Sequence, residues 1–439
     1  MQGLGLRTLS SNFAATFGRQ LGAAVFQLVT AAIIARVYGP EGNGAYAVAL
    51  LLPSILSTFL NLGIAPANVY YLGSGQVTVR SLLHANFRIY VILVGIGVVV
   101  GATTLFWKGA EFFPGVDQKV LWLALVAFPL GLLQGFLMSI FQGLQQFRVF
   151  NLVLLAQPLL MLVLVGSLAI LNMRNISFLV SVNLLTGLVV IILALWQLKP
   201  MLGAKQEAYQ PNQYFRQALS YGWKAHLGNI LQFINYKADI FLVNIFVGPA
   251  AAGIYVIAVA LVEKLWLVSQ AVSTVLLPRL SQLSSDEEKR KKITPLICRW
   301  ALLVTLVGGL GLAAIVYPFT LLVFGLDYLG SVLPALTLLP GIVFVSGARV
   351  LANDIASRGR PELNMYVSAM TVVCNVAGNL LLIPPYGLAG AAMATTMAYS
   401  LTLVLTLLIY TRFTSNRWMD SLFLKPSDIR MLMSTITRS

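Results

Sequence analysis

Long apolar runs separated by short polar breaks fill the whole chain. A helix crossing a bilayer needs about 20 mostly apolar residues, and its backbone must satisfy its own hydrogen bonds because hydrocarbon offers none. On that rule the pattern predicts spans near 12–38, 43–66, 83–106, 119–142, 147–171, 176–198, 220–247, 252–279, 293–318, 329–357, 362–384 and 387–411. No run shows the period-2 alternation of a membrane β-barrel strand. The expected fold class is all-α integral membrane with about 12 transmembrane helices. Six spans precede a polar stretch from Lys199 to Gln213, and six follow it. The expected division is an N-terminal six-helix bundle over 1–199, a cytoplasmic linker over 200–219, a C-terminal six-helix bundle over 220–412 and a cytoplasmic tail over 413–439. Residues 212–219 are expected to form a short surface helix with Tyr214, Phe215 and Leu219 toward lipid.

One phrase occurs twice, about half a chain apart. Gly39-Pro40-Glu41-Gly42-Asn43-Gly44-Ala45-Tyr46 and Gly248-Pro249-Ala250-Ala251-Ala252-Gly253-Ile254-Tyr255 both read G-P-x-x-x-G-x-Y between apolar runs. Gly-Pro stops a helix, and the second glycine is expected to let the backbone turn before the next one begins. A fainter echo opens the third and ninth spans, at Arg88 and Arg299. Matching phrases in matching places indicate an internal duplication. Because each half holds an even number of spans, both enter the membrane from the same side. Two pseudo-symmetric bundles about an axis along the membrane normal are expected, with substrate in a central cavity between them.

Composition agrees. Hydrophobic residues are 58% of the chain, charged residues 10% and mean hydropathy +0.85, whereas soluble domains carry roughly 25% charge. The net charge of +15 is topological rather than a nucleic-acid signature. With the N-terminus inside, nineteen of the 29 basic residues fall in inner loops and tails, and only Arg36, Lys108, Lys119 and Arg174 fall outside. Both termini are therefore expected in the cytoplasm, with the bilayer as a partner and no nucleic acid. Arg19 and Gln20 interrupt the N-terminal apolar run, which does not read as a cleaved signal. Cys298 and Cys374 suggest neither a disulfide nor a metal spacing. The run from Asp286 to Lys292 is expected as a solvated cytoplasmic loop.

Six basic residues remain inside the hydrocarbon: Arg19, Lys224, Lys237, Lys264, Arg299 and Arg349. Each is costly facing lipid, so such residues face a cavity, a partner or the interface. Snorkelling explains Lys224 and Arg299, which lie near helix ends, with a cavity position as the alternative. Arg19, Lys237, Lys264 and Arg349 lie deeper and are the candidate cavity cations. His226, Asn229, Phe233 and Lys237 share one helical stripe, and Gln232, Asn235 and Asp239 a neighbouring one. Asp354 and Arg358 can pair at i+4, and Asn375 and Asn379 share a face. Acidic residues within spans are few: Asp239, Glu263 and Asp354. A set this rich in cations suits an anion, and arginine matches phosphate geometry. There is no Ser-His-Asp set, metal cluster or phosphate-cradling loop, so neither enzyme activity nor a cofactor is expected. Energy would come from an ion gradient, the membrane potential or substrate flux.

Several stretches resemble the polysaccharide-transporter family of O-antigen and exopolysaccharide flippases, within the multidrug/oligosaccharidyl-lipid/polysaccharide exporter superfamily. They are 35–46, 239–249 with 253–255, 273–280, 349–361 and 383–395. The resemblance covers nearly the whole chain. It implies two six-helix bundles that alternate access to a central cavity in the inner (plasma) membrane. The implied substrate is an oligosaccharide on an undecaprenyl diphosphate carrier, and a polysaccharide polymerase or co-polymerase is an implied partner. On that view Arg19, Lys237, Lys264, Arg349 and His226 bind substrate, and Asp239 or Glu263 binds a coupling proton or cation. The related lipid II flippases carry two further helices, for which there is no room here. The competing expectations are a multidrug or cation antiporter of the same superfamily, which would want deep acidic residues, and a membrane glycosyltransferase or polymerase.

Overall fold

Apolar runs of span length become helices here, and their turns are set by glycine, proline and side-chain caps. The structure is a computed structural model that describes residues 6–202, 211–267, 287–425 and 428; side chains are described from residue 18 onward, except at 19, 211–213 and 224–225. The helices are α1 (Leu6–Ala49), α2 (Leu51–Leu60), α3 (Ile64–Gly73), α4 (Val79–Phe112), α5 (Gln118–Leu125), α6 (Ala127–Gly143), α7 (Phe147–Ile170) and α8 (Ile176–Leu198). They continue with α9 (Pro211–Phe246), α10 (Pro249–Glu263), α11 (Glu287–Val323), α12 (Val332–Ser357), α13 (Pro361–Thr414) and the short α14 (Met419–Leu422). Residues 1–256 and 257–439 form two compact units.

Eight stretches are long and apolar enough to cross a membrane. Two of them are really two helices each. α1 breaks at Gly39, whose φ is +66°, and α13 breaks at Gly387, whose φ is +56°, just after Pro384 and Pro385. With α9 and the shorter α10, these breaks accommodate the twelve spans expected from the sequence. The chain is an all-α, multi-pass membrane protein. Thr78, Asp117 and Asn175 cap the starts of α4, α5 and α8 by accepting from backbone N–H groups that have no helical partner.

In the first unit Ile34, Val165, Leu168, Leu179 and Val182 join α1, α7 and α8. α4 buries Ile89, Leu93, Gly97, Gly101 and Leu105, roughly one residue per turn, and leaves Ile92, Val99, Phe106 and Trp107 exposed. On a spanning helix that outer face is the lipid-facing one. In the second unit Cys298, Ala301, Ala348, Leu351, Leu407 and Tyr410 join α11, α12 and the last part of α13.

The two copies of the repeated phrase lie against each other within the first unit. A β-carbon on Gly44 would stand 2.8 Å from the Gly253 amide nitrogen, and one on Gly253 would stand 2.7 Å from that of Gly44. Asn43 Nδ2 donates to the buried Gly253 carbonyl at 3.0 Å. The positive φ angles belong to the first glycines, Gly39 and Gly248 (φ +108°), while Gly44 and Gly253 sit inside helices. This corrects the expected role of the second glycine: it permits contact between the copies rather than a turn. A second seam lies nearby in sequence terms, where a β-carbon on Gly63 would be 2.7 Å from Gly222 Cα.

Beside that second seam, Tyr214 donates from its hydroxyl to Asn68 Oδ1, and Asn68 Nδ2 donates to Ser139 Oγ at 2.8 Å. Tyr214 is fully buried in the first turns of α9. The expected separate surface helix over 212–219 with Tyr214 toward lipid is therefore corrected. A hydroxyl that donates to the buried Asn68 side chain outweighs the amphipathic pattern.

Candidate functional site

Membrane-embedded charges, the basis of the expected site, have three fates in the structure. Arg290, Arg299 and Arg358 form ion pairs with aspartates, Lys237 lies exposed on α9, and Arg349 is stacked on an aromatic ring.

The helix-end group is in the second unit. Asp354 is 0% exposed and sits between two guanidinium groups. Arg290 Nη2 lies 3.3 Å from Asp354 Oδ1, Arg358 Nε lies 2.5 Å from Oδ2, and Thr294 Oγ1 donates to Oδ1 at 3.2 Å. Arg358 also reaches Glu287 Oε1 at 2.9 Å. The i+4 pairing of Asp354 with Arg358 is as expected. The solvated loop over Asp286 to Lys292 is not: α11 already begins at Glu287, and Arg290 is buried with its partner on α12. Arg299 departs from both expectations made for it. Its Nε and Nη2 donate to the two oxygens of Asp428 at 2.7 and 2.9 Å, and Nη1 donates to the Asp420 carbonyl. A buried bidentate pair replaces snorkelling and cavity lining alike. The Arg299 guanidinium on Asp428 holds that carboxyl below the usual carboxylate range.

The expected α9 stripe is partly realised. His226 is half-buried against the backbone of Phe59, while Asn229 and Lys237 are exposed. Asp239, two residues on, is buried: Tyr255 donates from its hydroxyl to Oδ2 at 2.9 Å, and the Ile240 amide donates to Oδ1 at 2.8 Å. Tyr255 is the last residue of the second repeated phrase. Its counterpart Tyr46 accepts from Asn183 Nδ2 at 3.1 Å, so the two tyrosines are held by different partners. Arg19 lies in α1, and its side chain, like that of Lys224, lies outside the described residues, as does the 273–280 stretch.

Glu263 and Lys264 stand where α10 stops. Leu265 N bonds back to the Val262 carbonyl at 3.1 Å and Leu267 N to the Lys264 carbonyl at 3.2 Å, i→i−3 bonds that tighten the backbone into a turn. The break comes partway along the eighth expected span, and both side chains are half-buried. Just past it, the Trp266 ring carries the Arg349 guanidinium carbon 4.6 Å from its centroid. Tyr399 stands 6.2 Å from the same ring. Sequence reasoning found Arg349, Lys264 and Glu263 but passed over Trp266 and Tyr255. The one sequence signal for Trp266 was its place two residues after a membrane lysine.

Asn375 and Asn379 do share a face, as expected. Asn379 Nδ2 donates to Asn375 Oδ1 at 3.1 Å, and Asn375 Nδ2 to Thr395 Oγ1 at 3.3 Å, linking the two parts of α13. Among the described residues no three His, Cys, Asp or Glu side chains come together in a way that could hold a metal ion.

Among the described residues, eight span-length apolar stretches, two of them broken at a glycine, and charges kept within apolar helices fit a multi-pass membrane transporter fold. Solved transporters share its shape. A structure of the lipid II flippase MurJ in an inward closed conformation matches with a TM-score of 0.74 and 16% identity, over 97% of this chain and 93% of that one. An inward-facing multidrug resistance MATE family transporter of the MOP superfamily matches with a TM-score of 0.69 and 14% identity, over 90% and 94%. At these identities the likeness in shape shows the fold alone. The sequence supplies the family: the profile described as "Polysaccharide biosynthesis protein" matches residues 9–284, and the chain belongs to that family. A curated relative, the "Probable low-salt glycan biosynthesis flippase Agl15" of Haloferax volcanii, is 25% identical over 174 residues, 38% of this chain. That alignment spans 36% of the relative, so about a third of its length is matched.

Proposed function

We propose that this protein flips an undecaprenyl-diphosphate-linked oligosaccharide from the inner to the outer leaflet of the plasma membrane, for O-antigen, capsule or exopolysaccharide synthesis. The observation that carries this reading is a polysaccharide biosynthesis family member that keeps Lys237, Lys264 and Arg349 within its spans. A diphosphate crossing hydrocarbon needs cations along its path, and deep charges in a transporter mark such paths. Arg19 and His226 complete the proposed binding set. The first six and last six spans alternate access by rocking, with both termini in the cytoplasm. Asp239 or Glu263 takes up the coupling ion. The bilayer and the lipid-linked glycan are the partners, and a polymerase or co-polymerase receives the flipped product. The protein acts as a transporter, not as an enzyme.

The test is complementation of a host lacking its own glycan flippase. Lys237→Ala and Arg349→Ala should abolish surface glycan while membrane protein level stays near normal; normal surface glycan in both variants rejects the cationic path. The likeness in shape to a MATE transporter favours one rival, a multidrug antiporter. Drug resistance conferred on a sensitive host and unaffected by Arg19→Ala or Arg349→Ala would replace the flippase reading with that one.

A further inference from the structure

Arg349 sits in the second half of α12 and is half-buried, and the group stacked on it comes from outside its own helix. That group is Trp266, 8% exposed, which the turn at Lys264–Leu265 delivers to this place. The turn is itself accommodated by packing. Leu265 lies over the glycine pair of α11, where a β-carbon on Gly308 would be 3.1 Å from Leu265 Cδ2. On its other flank Trp266 meets the buried Tyr399 of α13. Side chains from α12 and α13 thus meet at one indole, while α11 packs against its neighbour Leu265.

We propose that Trp266 is a positioning residue for Arg349, presenting the edge of its guanidinium to a diphosphate-bearing ligand; the proposal rests on the flippase reading. Stacking engages the face of a guanidinium, whereas phosphate binds along its edge, so one arginine can do both at once. The stack narrows the rotamers open to this long side chain, so less ordering is needed when the ligand arrives. The same turn places Lys264 two residues before the indole. The turn that ends α10 is therefore linked to both a candidate cation and the support of another. Discontinuous spanning helices recur at transporter binding sites for this reason: they bring unusual chemistry to mid-membrane depth.

The test uses the full chain in nanodiscs of zwitterionic lipid, with inorganic pyrophosphate as the probe. Trp266→Leu keeps an apolar side chain and removes the ring face. It should weaken pyrophosphate binding about two- to thirtyfold, the range of a cation–π contact between exposed and desolvated limits. Trp266→Phe should restore most of the affinity, and Trp266→Tyr serves in its place if that variant does not fold. In an Arg349→Gln background Trp266→Leu should cost nothing further. A purely structural tryptophan would weaken binding equally in both backgrounds and would not be rescued by Phe, and either result overturns the proposal. Pyrophosphate should be displaced by undecaprenyl diphosphate and not by an equal mole fraction of phosphatidylglycerol. Displacement by the phospholipid would instead assign the arginine to an ordinary headgroup. If the wild-type chain binds no pyrophosphate, the positioning role falls, while the flippase reading is still judged by glycan export in cells.

Discussion

Gly44 and Gly253 meet backbone to backbone, each occupying the space where the other would carry a side chain. The two residues hold the same place in the two copies of one phrase, and the pairing is reinforced by the Asn43 side chain on the Gly253 carbonyl. Neither glycine has a positive φ, so substitution acts through packing alone. Gly44→Ala should destabilise the purified protein by about 3 kcal/mol, the upper end for overpacking against backbone that cannot yield. Gly95→Ala, in a helix where a β-carbon would meet nothing within 4 Å, should be within about 0.5 kcal/mol of wild type. Thermal unfolding in detergent compares them; equal stabilities would show that the helices separate easily there.

Asp354 offers a different kind of test. Its carboxylate takes donors from Arg290, Arg358 and Thr294 with no exposure to water. Asp354→Asn leaves the buried Arg290 guanidinium facing a neutral amide, while Arg358 keeps Glu287, and should cost about 3–5 kcal/mol. Replacing the partners together, as Asp354→Leu with Arg290→Met, should cost clearly less than the single change, because no charge on α11 is then stranded. Unfolding midpoints of the three proteins decide it.

What the sequence made legible was whatever depends on neighbours along the chain. Span positions follow from run length, the break at Gly39 from the Gly-Pro pair, and the Asp354–Arg358 and Asn375–Asn379 pairs from helical spacing. What it hid was contact between distant segments. Arg290 lies in a charged run that looks water-facing, and its burial depends on Asp354, 64 residues on. Arg299 resembles any snorkelling arginine until Asp428 is folded over it. The second glycine of each phrase looks like a turn residue because its true neighbour is the other copy. The site shows the same division: the cations were visible by type, and the indole beneath Arg349 was not.

The Arg299–Asp428 pair makes stability depend on acid in a defined direction. The guanidinium depresses the Asp428 carboxyl below its ordinary value of about 3.9. A depressed carboxyl stabilises the folded chain fully above that ordinary value and loses its contribution as pH falls through the lower, folded one. The segment around residue 428 should therefore resist protease at pH 7 and pH 5 and become cleavable only below about pH 4. Asp428→Asn should make it cleavable at every pH. A wild-type segment cut equally at pH 7 would contradict the pair.

If Asp239 carries the coupling ion, its two oxygens must exchange the donors they now hold for that ion. Asp239→Asn should make residual glycan export insensitive to collapse of the ion gradient. Tyr255→Phe removes only the Oδ2 donor and should leave export gradient-sensitive, at a stability cost of about 1–3 kcal/mol. Export measured with and without an uncoupler separates the two variants, and gradient sensitivity in Asp239→Asn would move the coupling role to Glu263.

The clasp on Arg299 also has a consequence in time. Its partner is 129 residues further along the chain, so ribosome and membrane-insertion machinery handle the arginine well before the aspartate exists. At ~5–20 residues per second that interval is roughly 6–26 s. Throughout it α11 must sit in the bilayer with an uncompensated charge, held by water, headgroups or a chaperone. The second unit is therefore finished from its far end, and a nascent chain that stalls before residue 428 is released with its arginine still open to whatever anion finds it first.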